Sequence, residues 1–261
     1  TEMRSLISRI IKGKPTEEAA LINQANAFPR YTPTTVNFRH YTLQVTDMLS
    51  VAWQIHEFFA DERMKFFATN DQPLIVDCGA NVGVSLIYYK ALYPQARVIA
   101  FEPDPAVFKC LEQNVQQNDL QRIDLHQKAV WVNADGVSFG SDGADGGSIH
   151  NAKGRAKVPT IRLRDLLLQH ERIDLLKVDI EGAETKVLLD CDDALQRIRY
   201  LYVEYHSFSD QDQELHTLLA VLAKNGFRYY VERVGPKHQH PFAGMKPAEM
   251  DMQLDIHAIR Q

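Results

Sequence analysis

The hydrophobic pattern changes character near residue 73. Downstream of it, short apolar runs alternate with stretches whose apolar residues recur at helical spacing. Leu74–Cys78, Arg97–Phe101, Ile123–Gln127, Ile173–Val178 and Tyr200–His206 read as five strands, the first of the type buried on both faces. Val84–Leu92 reads as a helix and stops before Pro94. Asp104 reads as an N-cap with Pro105 at the first helical position, followed by Val107, Phe108, Leu111 and Val115 on one face. A turn-rich stretch, 133–161, holds two short strands, Val137–Phe139 and Val158–Ile161, and a short helix over Arg162–His170 follows. Leu215, Leu218, Leu219 and Leu222 form a helix stripe that Asn225-Gly226 ends, and Phe227–Val231 and Leu254–Ile259 close the chain as an antiparallel pair.

Upstream, residues 1–30 look helical and polar, and Phe38, Tyr41, Leu43 and Val45 alternate as in a strand. The segment "SVAWQIHEFFADERMKFFA" predicts one amphipathic helix carrying Trp53, Phe58, Phe59, Phe66 and Phe67. Trp53, His56 and Phe59 read first as packing residues and second as a lid over a substrate. The chain therefore divides into an N-terminal helical and extended segment, 1–72, packed on a core of 73–261. That core is predicted to be α/β: a doubly wound, seven-stranded, mostly parallel sheet with an antiparallel edge.

Bulk properties narrow the partners. A net charge of −5 argues against duplex nucleic acid and against a polybasic membrane surface. Cys78, Cys110 and Cys191 are odd in number and far apart, which disfavours a disulfide framework or a structural zinc site and suits a reducing compartment. No apolar run reaches membrane-span length, and the opening "TEMRSLISRIIKGK" has no signal-peptide apolar core. A cytoplasmic location is expected, and a homodimer is the default guess for assembly.

Ligands of open α/β sheets bind outside the carboxyl ends of the strands, where strand order reverses. The first such end is "VDCGANVGVS". Its D-x-G-x-N-x-G pattern spaces the glycines four apart, unlike G-x-G-x-x-G, and lacks the Gly-Lys-Ser/Thr ending of a P-loop. Gly79 and Gly83 let a ligand approach the backbone of a tight turn, and the next helix would offer free N–H groups. Asp77 suits a ligand ammonium. Glu102, ending the second strand, stands where an acid commonly pairs with ribose hydroxyls. An amino acid joined to a nucleoside describes S-adenosylmethionine.

The motifs "VDCGANVGVS", "VIAFEPDP", "IDLLKVDIEGAE", "YVEYH" and "MDMQLDIHAIR" occur in this order, and over roughly residues 50–260 the chain resembles the FkbM family of S-adenosylmethionine-dependent methyltransferases. The resemblance implies a Rossmann-like class I methyltransferase fold. It also implies O-methylation of a hydroxyl on a sugar, polyketide or other specialised metabolite. It places Asp77, Gly79, Ala80, Asn81 and Gly83 on the methionine part of the cofactor, with Ser85 at the helix start. Glu102 would hold the ribose, Pro103 would shape that edge, and Lys128 to Val130, including Ala129, would flank the adenine. Asp179 would face the methyl.

Several roles stay open at the next strand ends. In "KVDIEGAE", Asp179 and Glu181 share strand parity. They could supply a general base, compensate the sulfonium charge, or bind Mg²⁺, which is not the expected outcome. The alternative for Glu184, and with it Glu181, is simply to favour a helix N-terminus. In "VEYH", Glu204 and His206 share a face, and His206 is the best-placed of the 10 histidines for base work. His238 and His240 read as a solvated loop, and no metal site is expected. Ser148, in the loop Gly143–His150, is a weaker substrate contact. Two alternatives remain: a non-catalytic cofactor-binding homologue, and an NAD(P)-linked oxidoreductase, against which the glycine spacing argues.

Overall fold

A computed structural model describes residues 16–140, 156–235, 240, 242 and 250–260. The apolar runs become the middle of one seven-stranded sheet. They are β3 (Leu74–Cys78), β4 (Arg97–Phe101), β5 (Ile123–His126), β10 (Ile173–Val178) and β11 (Ile198–Phe208), all mutually parallel. The closing pair, β12 (Phe227–Arg233) and β13 (Met250–Arg260), attaches through β13 antiparallel to β11, giving the order β12-β13-β11-β10-β3-β4-β5. Strand order reverses between β3 and β10, so a crevice opens at their carboxyl ends. Short strands β6 (Ala129–Trp131), β7 (Val137–Phe139), β8 (Ala156–Val158) and β9 (Thr160–Arg162) form two small ladders beside it, where a single Val158–Ile161 strand was expected.

The sheet is buried on both faces because its central strands carry no polar alternation. Ile75, Val98, Ala100 and Leu175 pack on one side, while Val76, Ile99, Leu176 and Val178 pack on the other. Helices α3 (Val84–Leu92) and α4 (Pro105–Gln117) cover the first face. Helices α5 (Leu163–Leu167), α6 (Glu184–Asp190) and α7 (Leu215–Lys224) cover the second. The expected cap of α4 is in place: the Asp104 carboxylate accepts from the Ala106 and Val107 N–H groups at 2.8 and 3.2 Å.

The N-terminal segment extends the first-face core. Helix α1 (Glu17–Asn26), the hairpin β1 (Thr34–Phe38) and β2 (Tyr41–Val45), and helix α2 (Met48–Ile55) bury Leu21, Val36, Phe38, Leu43, Val51 and Ile55 against it. The hairpin is tied down by side chains that imitate a neighbouring strand. Asn114 Oδ1 accepts from Gln44 N at 2.6 Å, and its Nδ2 donates to Gln44 O at 2.9 Å and to Val82 O at 2.8 Å. One helical turn later, Asn118 treats the amide and carbonyl of Thr42 likewise, at 2.9 and 2.8 Å. The long helix expected over 50–68 is shorter. It ends in a wide turn, His56–Ala60, closed by Asp61 N to His56 O, and Glu62 then takes a left-handed φ of 51°. Phe66 is buried beyond the helix and Phe67 is 74% exposed, so neither belongs to one amphipathic face. No helix among the described residues is long and apolar enough to cross a membrane.

Asn114 is 1% exposed, and truncating it strands backbone groups on both β2 and the turn at Val82. Asn114→Ala is expected to cost about 2–3 kcal/mol, since buried groups left unpaired cost about 1–3 kcal/mol each before relaxation. Urea unfolding would measure it, and a loss under about 0.5 kcal/mol would contradict this account of hairpin docking.

Candidate active site

The turn after β3 folds over the end of β4 because its backbone leaves the right-handed region three times, at Gly79 (φ 87°), Asn81 (φ 49°) and Gly83 (φ 94°). At Gly79 a side chain is sterically excluded: an added Cβ would lie 1.9 Å from the Asp179 carbonyl oxygen. The turn's amides are used within the protein rather than left for a ligand. Gly79 N and Ala80 N both donate to Phe101 O, at 3.0 and 2.9 Å, and Asn81 N donates to Glu102 Oε2 at 3.1 Å. Val82 N donates to Asn81 Oδ1 at 2.7 Å, and Gly83 N to Ala80 O at 2.9 Å.

Glu102 is thus oriented from two sides, since its other oxygen accepts from Asp104 N at 2.8 Å. Burial pushes its carboxyl up to about 8, against the pull of those two amides. Lys177, a lysine in the middle of a strand buried along its whole length, performs the companion task. Its Nζ donates to Gly79 O at 2.8 Å and to Asp179 Oδ2 at 3.0 Å, and stands 3.5 Å from Asp77 Oδ1. Asp77 itself is 0% exposed and lies outside the cavity wall. Expected to meet a ligand ammonium, its carboxyl faces the Lys177 ammonium from behind the turn. Gly83 is likewise absent from the wall, and its missing Cβ makes room for Leu111 Cδ1 at 2.8 Å.

On the other side of the switch point, the loop after β10 meets the end of β11. His206 Nδ1 is 3.1 Å from Glu184 Oε1. The Glu184 carboxylate also accepts from Ile180 N at 3.1 Å and Gly182 N at 3.0 Å, so it buttresses the turn as well as the ring. Glu181 Oε2 and Glu204 Oε1 lie 3.8 and 3.6 Å from His206 Nε2. Burial and the neighbouring Glu204 lift Asp179 to about 6 despite Lys177, and burial with the surrounding carboxylates raises Glu181 well above its usual range. Burial opposes charge on Glu204 too, but His206 and Gln253 hold it down to about 2. Burial works against a charged His206 ring, and Glu181 and Glu184 outweigh it, raising the imidazole's pKa.

These groups enclose one cavity of about 410 Å³. Of the residues expected at a site, Gly79, Ala80, Asn81, Ser85, Glu102, Pro103, Lys128, Ala129, Asp179, Glu181, Glu204 and His206 stand in its wall. Gln54, Glu57, Arg63, Lys177, Tyr202 and Gln253 are among the wall residues not foreseen as binding groups. Only Lys177 had left a signal, as a charge inside an apolar strand. Trp53 is 49% exposed at the cavity rather than packed in the core, whereas Phe59 does pack, edge-on to Phe38 and Tyr88. His240 is exposed and outside the wall, and His238 and the loop bearing Ser148 lie outside the described residues.

The model of the methyltransferase FkbM domain matches residues 77–229, more than half of the chain. The chain belongs to the FkbM methyltransferase family. Methyltransferase sdnD of Sordaria araneosa is 31% identical over 206 residues, covering 62% of this chain and 78% of its own. The 2-O-methyltransferase NoeI of Sinorhizobium fredii is 31% identical over 167 residues, covering 55% of this chain and 65% of its own. In three dimensions the fold is that of the methyltransferase FkbM from Methylobacillus flagellatus KT, with a TM-score of 0.50 at 17% identity over 80% of this chain and 53% of that one. The chain is thus a methyltransferase of Rossmann-like, class I fold, and the oxidoreductase alternative falls away.

The raised pKa of Glu102 gives a signed pH dependence. Between the usual carboxylate value of 4.5 and about 8, the folded protein holds a proton on Glu102 that the unfolded chain has released. Its contribution to stability is therefore present below about pH 4.5 and is lost as pH rises through about 8. The ligand-free protein should lose unfolding free energy across this interval, and Glu102→Gln should flatten part of the slope. Urea titrations at three pH values test this, and an unchanged slope in the variant would refute it.

Proposed function

We propose that the protein is an S-adenosylmethionine-dependent O-methyltransferase acting on a hydroxyl of a small specialised metabolite such as a sugar or polyketide. The observation that carries this reading is the placement of Glu102 and the Asp179–His206 cluster at opposite ends of one cavity, with the Gly79 turn between them. The carboxyl group of Glu102, aimed by two backbone amides, suits a ribose diol. Lys128 and Ala129 suit an adenine edge, and the backbone at Gly79 and Ala80 suits a methionine chain that needs close approach. The 2-O-methyltransferase named among the relatives supports oxygen as the nucleophile.

Bound there, S-adenosylmethionine supplies an electrophilic methyl on a sulfonium. The protein's part is alignment and charge. Asp179 and its neighbours present carboxylates to the region of positive charge. The acceptor hydroxyl enters between these strand ends and the wall made by Trp53, Glu57 and Arg63. With the cofactor held there, this wall would aim the hydroxyl at the methyl, and the carboxylate–histidine cluster would accept the proton the hydroxyl gives up. Alignment contributes most of the acceleration and proton acceptance the smaller part.

Calorimetry with S-adenosylhomocysteine, and transfer of labelled methyl to a panel of hydroxylated acceptors, test the proposal. Asp179→Asn should keep S-adenosylhomocysteine affinity within about threefold and lower kcat by about 10²-fold, the low end for a general base. A folded wild-type protein that ignores S-adenosylhomocysteine at millimolar concentration would end this reading.

A further inference from the structure

The His206 side chain is 1% exposed, yet its outer nitrogen makes no hydrogen bond among the described residues. The inner nitrogen explains how the ring is set. Glu184 Oε1 accepts from a backbone amide, so it faces His206 Nδ1 as an acceptor and places the hydrogen there. In the neutral ring the lone pair then sits on Nε2, directed at the cavity. A carboxylate behind the far nitrogen is the arrangement that orients metal-ligating histidines.

The spacing around Nε2 points the same way. Glu181 Oε2 at 3.8 Å and Glu204 Oε1 at 3.6 Å are too far for hydrogen bonds. Ligand atoms of Asp179, Glu181 and His206 nevertheless all lie within 4.8 Å of one another. Six ligands at about 2.1–2.3 Å from one ion stand roughly 3.0–4.6 Å apart, depending on whether they are adjacent or opposite. The spacing of these groups fits ligands about a common centre.

We propose that Asp179, Glu181 and His206, with Glu204 beside them, bind a divalent cation of the Mn²⁺ class at the acceptor end of the cavity. One imidazole among carboxylates favours Mn²⁺ over Ca²⁺ or Mg²⁺, and the absence of thiolates disfavours a structural zinc site. The ion relieves repulsion among three crowded acids. Its remaining positions face the cavity, where the acceptor hydroxyl can occupy one and become more acidic. Lys177 keeps Asp179 oriented from the opposite side. This reverses the expectation of no metal. The inference extends the methyltransferase reading but does not require S-adenosylmethionine as the donor.

The experiment is a Mn²⁺ titration of the chelator-stripped full chain followed by electron paramagnetic resonance, with S-adenosylhomocysteine calorimetry on the same samples. One equivalent of Mn²⁺ should bind, and Glu181→Gln and His206→Gln should each weaken it at least about tenfold. Glu112→Gln, an exposed acid on α4, should leave it unchanged. Displacement by Mg²⁺, Ca²⁺ or Zn²⁺ would rank the ions. Near-ultraviolet circular dichroism reports folding, and if His206→Gln unfolds, Glu181→Gln alone decides. No Mn²⁺ bound at about 1 mM, or equal binding by the variants, overturns the site. A wild-type chain that binds S-adenosylhomocysteine but no Mn²⁺ would sink this inference alone, and one that binds Mn²⁺ but no S-adenosylhomocysteine would sink the cofactor reading alone.

Discussion

A single buried ammonium holds the crevice in shape. Lys177 reaches across from β10 to the carbonyl of Gly79 on the neighbouring turn, and it is flanked by Asp77 below and Asp179 above. A lone charge at such depth would be costly, and an isolated carboxylate equally so. Together they are mutually compensated, and the geometry that compensates them also fixes the distance between the two strand ends. Gly79 can stand against the Asp179 carbonyl only because it has no side chain. The Glu102 and His206 sides of the cavity are therefore referenced to one point.

Much of this was legible from the chain. Strands β3, β4 and β10 and helix α3 coincide with their apolar runs, because continuous burial leaves no competing period. The end of β11 was less clear: the strand runs on to Phe208, beyond the expected His206, because antiparallel pairing with β13 continues that far. The helix over 50–68 misled for a different reason. Phe66 and Phe67 fit a helical spacing, but the reversal at Glu62 separates them from it, and nothing local announces a left-handed glutamate.

The site shows the same division. Residues tied to strand ends were foreseen, since topology alone puts them at the rim. The depth of Asp77 was not legible, because a strand-end position says nothing of depth; its pairing with Lys177, its cross-strand neighbour in the register, exists only in the assembled sheet. Gln253 and Arg63 were missed because they arrive from β13 and from beyond α2, through contacts with no local sequence period. The Glu184–His206 pairing links positions on different elements, and only the assembled sheet brings a ring nitrogen to that carboxylate.

The wall carrying Trp53, Glu57 and Arg63 lies outside the stretch that defines the family, 77–229. It is mounted on the hairpin-and-helix segment through side-chain amides of α4 rather than through the sheet's own ladder. One wall of the cavity can consequently be recut by drift in the first seventy residues without replacing any residue at the ends of β3, β4, β10 and β11.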